Sequence, residues 1–170
     1  MGRDQREAFY QERIKRLSAQ AGSQFRADAA WAVIHLSWLH DALAKHLNTG
    51  LAEHDLSLAA FNTLAILEER PNGVPLNELG TLLIKTPANI TGLVDGLAKR
   101  GLVRRVPHPE DRRVKFAELS DEGRRIMAEI LPGHQNRVRA AFSSLEPEEV
   151  LQLTAMMRRL LDSLPGEGTP

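Results

Sequence analysis

Thr86-Pro87-Ala88-Asn89-Ile90-Thr91-Gly92-Leu93-Val94-Asp95-Gly96-Leu97-Ala98-Lys99-Arg100-Gly101 carries its own start and stop signals. Thr86 can accept a hydrogen bond from the first free backbone N–H groups, Pro87 sits where its missing N–H costs nothing, and Gly101 tolerates the left-handed backbone that ends a helix. The segment therefore reads as a helix with fixed ends. Ile90, Leu93, Val94 and Leu97 recur at i, i+3, i+4 and i+7, one apolar stripe turned to a core. Asn89, Thr91, Gly92, Asp95, Gly96 and Lys99 face the other way. That outer face is small and polar.

The elements on either side follow a definite order. A helical pattern precedes this helix within the stretch that opens at Asp55 and includes Leu76-Asn77-Glu78-Leu79-Gly80. Two strand-like runs follow it, Leu102-Val103-Arg104-Arg105-Val106 and Arg112-Arg113-Val114-Lys115-Phe116-Ala117, separated by the turn-forming Pro107-His108-Pro109-Glu110-Asp111. Helix, helix, basic hairpin is the order of a winged helix-turn-helix, here over residues 55–119. From Lys85 to Lys115 there are eight basic residues against three acidic ones, although Lys plus Arg and Asp plus Glu are equal at 22 each over the chain. A cationic surplus confined to one stretch is what a phosphate-facing surface needs. A solvated, charge-rich hairpin on an ordinary helical protein would show the same count, so it is the helix pair before it that favours DNA. A helix end with small and amide side chains suits the major groove, where Asn can pair bidentately with adenine.

Leu76-Asn77-Glu78-Leu79-Gly80, Thr86-Pro87-Ala88-Asn89-Ile90-Thr91-Gly92-Leu93-Val94-Asp95, Gly101-Leu102-Val103-Arg104-Arg105, Pro109-Glu110-Asp111-Arg112-Arg113 and Leu119-Ser120-Asp121-Glu122-Gly123 stand in unbroken order. Together they resemble the MarR family of bacterial transcription regulators. The Asp-Arg-Arg of the hairpin is the most specific part. The resemblance implies a mainly α protein with a small β-hairpin wing, a winged helix-turn-helix with flanking dimerisation helices. It implies one domain over residues 1–170, with an N-terminal extension and dimerisation helix over about 4–50 and C-terminal dimerisation helices over 120–164. It further implies a homodimer on a palindromic operator, most often repressing, and released by a small aromatic or phenolic ligand. By that resemblance Thr86 to Arg100 would lie in the major groove and Arg113, with Arg112 near it, would reach the minor groove; Lys85, Thr86, Pro87, Asn89, Thr91 and Arg105 are the further DNA-contact candidates, and His108 in the wing turn is placed to meet a phosphate. Two positions depart from the pattern, since many relatives carry Arg where this chain has Gly92 and often again at Gly96. Base contacts are then few, with more weight on the wing and on DNA shape.

Elsewhere, Tyr10, Ile14 and Leu17 align on a helix candidate over residues 4–17, Ala21-Gly22-Ser23 breaks it, and a longer helix runs from about Arg26 to Asn48. Ser120 caps a helix that should kink or stop at Pro132-Gly133 and resume at His134. Pro147-Glu148-Glu149 opens a last helix with Val150, Leu153, Met157, Leu160 and Leu164 on one side, a stripe that asks for a partner. Met127, Met156 and Met157 read as packing residues. Trp31, His35 and Trp38 share a face of the long helix, and the resemblance puts Phe61 and Asn62 close by, so a small aromatic ligand could seat among them. Core or interface packing is the alternative reading of the same stripe. Asn62 stands where urate-responsive relatives carry an acid, which speaks against urate.

The chain of 170 residues is 42% hydrophobic and has no cysteine. Thiol-based redox sensing and disulfides are thereby excluded. No apolar run approaches spanning length and the N-terminal residues lack a signal core, so no membrane partner and a cytoplasmic location are expected. The six histidines show no metal-ligand spacing beyond a loose approach of His46, His54 and Asp55, and no metal or other cofactor is expected. Nucleophile elbows, phosphate-cradling glycine loops and metal-hydrolase motifs are missing, so the chain is not read as an enzyme and has no catalytic residues. A winged-helix dimer that has lost DNA binding is the remaining alternative. Asn89, Arg112 and Arg113 speak against it, Gly92 and Gly96 for it.

Overall fold

The computed structural model describes residues 2–107 and 115–165. The chain divides into two compact units, Met1–Lys45 and His46–Pro170. In the first, helix α1 (Arg3–Ala21) ends at Gly22, whose φ of +57° suits a residue without Cβ and whose N–H donates to the Ser18 carbonyl. Helix α2 (Ala27–Thr49) begins here, and its last turn belongs to the second unit.

The second unit is built on α3 (Leu58–Glu68), β1 (Val74–Pro75), α4 (Leu76–Leu82), α5 (Pro87–Lys99), β2 (Val103–Pro107), β3 (Lys115–Leu119), α6 (Asp121–Ala141) and α7 (Pro147–Ser163). Its core gathers Leu64 and Leu67 of α3, Leu79 of α4, Ile90, Val94 and Leu97 of α5, Ala117 and Leu119 of β3, and Met127 and Ile130 of α6. The sheet is antiparallel in the order β1-β3-β2. Val103 faces Leu119 and Pro107 faces Lys115 in one pairing, Val74 faces Ala117 in the other. The sequence reading contained the hairpin but not β1. Gly73 admits this third strand, since its φ is +78° and a Cβ there would crowd the Ala117 carbonyl and the Glu118 side chain.

The start of α6 is tied to the start of the wing. Ser120 caps the helix by accepting from the Gly123 N–H at 2.9 Å, donates its hydroxyl to the Gly101 carbonyl at 2.6 Å, and donates its own N–H to the Leu102 carbonyl at 3.1 Å. A Cβ on Gly123 would overlap that same Leu102 carbonyl oxygen. Only a glycine fits the crossing.

Helix α6 does not stop at Pro132 but continues through it to Ala141. Pro132 removes the hydrogen bond that the Ala128 carbonyl would receive. Burial on both sides of it outweighs that loss: Met127 and Ile130 lie in the core before it, and His134 stacks on Phe61 after it with ring centroids 4.1 Å apart. Among the described residues the buried His134 Nδ1 has no hydrogen-bond partner. Helix α7, by contrast, has no buried residue. The packing expected of Met156 and Met157 does not occur within the chain, where they are 57% and 37% exposed, while Met127 is fully buried.

Gly123→Ala should destabilise the fold by about 1–3 kcal/mol through overpacking against a backbone oxygen, and Ser120→Ala by about 1 kcal/mol through loss of the cap. Urea unfolding followed by circular dichroism checks both, and an alanine at 123 as stable as the parent would remove the crossing from the account. A second expectation concerns acid. Burial, and next the charge of Arg137, hold the His134 pKa below its ordinary value of 6.5. The unfolded chain therefore takes up a proton that the fold resists, so stability present above that ordinary value is lost as pH falls through the folded one. Between pH 7.5 and 5.5 the urea midpoint should fall further for the parent than for His134→Gln; equal falls would show that His134 does not carry the effect.

Candidate DNA interface

Helix α4, the turn Leu83–Thr86 and helix α5 make the helix-turn-helix. The two helices approach closely because Gly80 leaves room, a Cβ there falling 3.2 Å from the Lys85 carbonyl oxygen and 3.5 Å from Ile90 Cγ1. The Lys85 N–H donates back to the Gly80 carbonyl at 2.9 Å. Within the turn Ile84 has a φ of +50° and is 75% exposed. A β-branched residue in left-handed backbone costs about 1–2 kcal/mol, and nothing in the sequence pattern announced it.

Thr86 caps α5 as the sequence predicts, its hydroxyl accepting from the Asn89 N–H at 3.4 Å, and Pro87 occupies the first turn. Lys85, Thr86, Pro87, Asn89 and Thr91 are all exposed and gathered at this one helix end. Their proximity is what groove entry requires, with the positive end of the helix dipole added to Lys85. Further along the same face, a Cβ on Gly92 or Gly96 would meet nothing within 4 Å. The outer surface of α5 therefore has two gaps, at Gly92 and Gly96, with Asp95 and Lys99 beside them.

The basic surplus is distributed differently from the simple count. Arg105 turns toward α5 and pairs with Asp95 at 2.7 Å, its side chain 27% exposed and its Nε buried. Arg105 thereby forms a strut between wing and recognition helix. Arg100 is also engaged inside the protein, donating to the Asp55 carbonyl at 2.6 Å and the His54 carbonyl at 2.7 Å. Arg104 lies across from Glu118 in the β2–β3 pairing, 3.8 Å away. Lys85, Lys99 and Lys115 are exposed. His108, Arg112 and Arg113 lie outside the described residues.

Of the ligand candidates, Trp31, His35 and Trp38 come together in the first unit. Ring centroids of Trp31 and His35 are 5.3 Å apart and those of His35 and Trp38 5.4 Å, and His35 Nδ1–H donates to the Trp31 carbonyl at 2.9 Å. Helix α1 extends this series with residues that the sequence reading left out. Tyr10 meets the edge of Trp38 at 5.7 Å and the Arg6 guanidinium sits 5.3 Å from the Trp38 ring. Phe61 and Asn62 belong to the second unit and do not share a face. Successive helical residues point about 100° apart, and here Phe61 is buried against His134 while Asn62 is exposed. His46, from the loose metal grouping, donates its Nε2–H to the Arg137 carbonyl at 3.1 Å.

Comparison with known proteins agrees with this geometry. Residues 56–115 match the MarR family. The HTH-type transcriptional regulator MhqR of Bacillus subtilis is 31% identical over 127 residues, which cover 75% of this chain and 87% of that protein. The chain belongs to the MarR family. The transcriptional repressor YetL of B. subtilis is 31% identical over 157 residues, 89% of this chain and 93% of YetL. Among solved structures, the MarR-family regulator Sco3205 of Streptomyces coelicolor, in complex with DNA, matches with a TM-score of 0.78 and 28% identity over 83% of this chain and 90% of that one. As a MarR-family member the chain is a DNA-binding transcription regulator and not an enzyme. Among the described residues no helix is long and apolar enough to cross a membrane.

If Arg105 serves as a strut, Asp95→Ala and Arg105→Ala should be non-additive in urea unfolding, with a coupling of about 1 kcal/mol for this half-buried pair. Strictly additive losses, with DNA affinity falling for Arg105→Ala alone, would return Arg105 to the phosphate backbone.

Proposed function

We propose that this MarR-family chain acts in the cytoplasm as a homodimeric repressor that reads a palindromic operator and is released by a small aromatic or phenolic ligand. One observation carries the DNA part: the side chains that can reach a base or a phosphate, from Lys85 to Thr91, converge on the N-terminal end of a helix strutted to the wing. In this reading residues 55–119 are the winged reader, residues about 4–50 the extension and first dimerisation helix, and 120–164 the remaining dimerisation helices, all serving one domain. Asn89 and Thr91 contribute base contacts, Lys85 holds phosphate, and Arg112 and Arg113 reach the minor groove from the wing.

Exposed apolar side chains along α7 support the homodimer. Leu151, Met156, Leu160 and Leu161 are 69%, 57%, 48% and 53% exposed, more than an isolated surface helix displays without a partner. Two readers related by a two-fold axis address half-sites about 10 base pairs apart. The aromatic series of α2, lengthened by Tyr10 and Arg6, supports the ligand: flat rings beside a guanidinium suit a planar aromatic acid. Such a ligand regulates only by preferring one spacing of the two readers over the other.

Titration of the chain against its own upstream DNA over a range of salt tests the whole reading. Binding should be steeply salt-dependent, with one dimer per site by light scattering. Arg113→Ala should weaken binding on all sequences alike, whereas Asn89→Ala should relax discrimination at one position per half-site by about 1–3 kcal/mol. Aromatic acids that bind should weaken operator affinity about 5- to 150-fold, with operator weakening the ligand by the same factor. A monomer, or a chain indifferent to DNA at low salt, would overturn the proposal; an Asn89→Ala preference profile equal to the parent's would remove Asn89 as a reader.

A further inference from the structure

Ile84 sits in the helix-turn-helix turn at a cost on two counts. Its φ of +50° is one that a side chain branched at Cβ rarely adopts. At 75% exposure the side chain also gains almost nothing from burial. Glycine or asparagine would meet the backbone requirement with less strain and no exposed apolar surface. Packing within the chain therefore does not account for isoleucine. Its surroundings do suggest a use, because Ile84 and Pro87 border a hollow of about 600 Å³ that Asn77, Thr81, Lys85 and Thr86 also line. An apolar projection beside a cation, at the end of the recognition helix, matches one feature of the major groove. Thymine alone presents a methyl group there, next to a phosphate backbone that Lys85 can hold.

We propose that Ile84, with Pro87, is a specificity-determining pair that packs on the C5 methyl group of one thymine in each operator half-site. This rests on the DNA-reading function proposed above and adds to it an apolar contact distinct from the amide contact of Asn89. The open space at Gly92 and Gly96 leaves room for the close approach that so short a side chain needs to reach the base edge.

Deoxyuridine substitution tests it, since it removes the methyl group and leaves every hydrogen-bonding group of the base in place. The operator is first selected from random-sequence duplexes with the parent protein, and each thymine is then replaced in turn. At one position per half-site the parent should lose about fourfold in affinity, or about 15-fold when both half-sites are changed, the transfer value of one methyl group per contact. In Ile84→Gly and Ile84→Asn, which tolerate the turn's backbone, that position should become indifferent to deoxyuridine. The other positions, the salt slope and the thermal midpoint should stay at or above parental values. Identical deoxyuridine scans for parent and variants, or a selected half-site without thymine, would overturn the inference. Failure of the parent to select any sequence would instead overturn the DNA-reading proposal, before a variant is made.

Discussion

The contact on which the winged unit depends is a backbone crossing. Where β3 hands over to α6, Gly123 lies against the Leu102 carbonyl oxygen with no room for a Cβ, and the same carbonyl accepts the Ser120 N–H. Ser120 spends its hydroxyl on the Gly101 carbonyl while capping α6. Four element ends therefore meet at one point: the end of α5 at Gly101, the start of β2, the end of β3 and the start of α6. The strand register follows directly, because pairing Val103 with Leu119 is the next step outward from this junction. So does the angle at which the recognition helix leaves the sheet. Buried hydrogen bonds of this kind contribute about 1 kcal/mol each, but their geometric consequence is larger, since a wing displaced here would no longer lie beside the helix that it assists.

A second constraint concerns charge, and it separates a count from a placement. The stretch from Lys85 to Lys115 is rich in cations, yet two of its arginines are consumed by the fold. Arg100 forks onto the carbonyls of His54 and Asp55, fastening the left-handed residue Asp55 ahead of α3. Arg105 reaches back to Asp95. Guanidinium groups suit both tasks because several N–H donors are fixed in one plane. The cost is a smaller cation set for phosphate. Among the described residues Lys85, Lys99 and Lys115 stay exposed along this surface without such a task, beside an Arg104 that lies 3.8 Å from Glu118.

How legible was this in the sequence? Helix α5 was nearly complete there, since its cap, its N1 proline, its C-terminal glycine and its apolar stripe are all local signals. The hairpin and Ser120 cap were legible for the same reason. Strand β1 was not, because two residues carry no period and the strand exists only through pairing with β3, a contact 43 residues away in the chain by the register of Val74 with Ala117. Pro132 shows the opposite case: the local rule allows a helix to stop there, and the tertiary burial of Met127 and Ile130 before it and of His134 against Phe61 after it explains why this one continues. Phe61 shows a further limit. A core wall and a ligand wall ask for the same aromatic residue, so sequence could not separate them; the register of α3 adds that Phe61 is buried against His134. Arg105 and Asp95 face each other across elements whose relative placement no spacing rule supplies.

The glycines of α5 bring these strands of the argument together. Each costs a helix interior up to about 1 kcal/mol relative to alanine, and both point into open space. The helix can bear that because its stability comes from elsewhere. Ile90, Val94 and Leu97 are almost completely buried, at about 1.5–3 kcal/mol each, with the Thr86 cap at one end and the Asp95 strut in the middle. Since the core face holds the helix, the outer face is released from any stabilising duty, and its composition answers to what it meets. From Gly92 onward it carries two gaps, at Gly92 and Gly96, beside the side chains of Asp95 and Lys99. At the other end Ile84, Lys85, Thr86, Asn89 and Thr91 supply an apolar, a cationic and several polar groups within a few residues of one another. If the proposed DNA reading holds, the bases chosen by side chains should cluster opposite that end, flanked by positions chosen for shape.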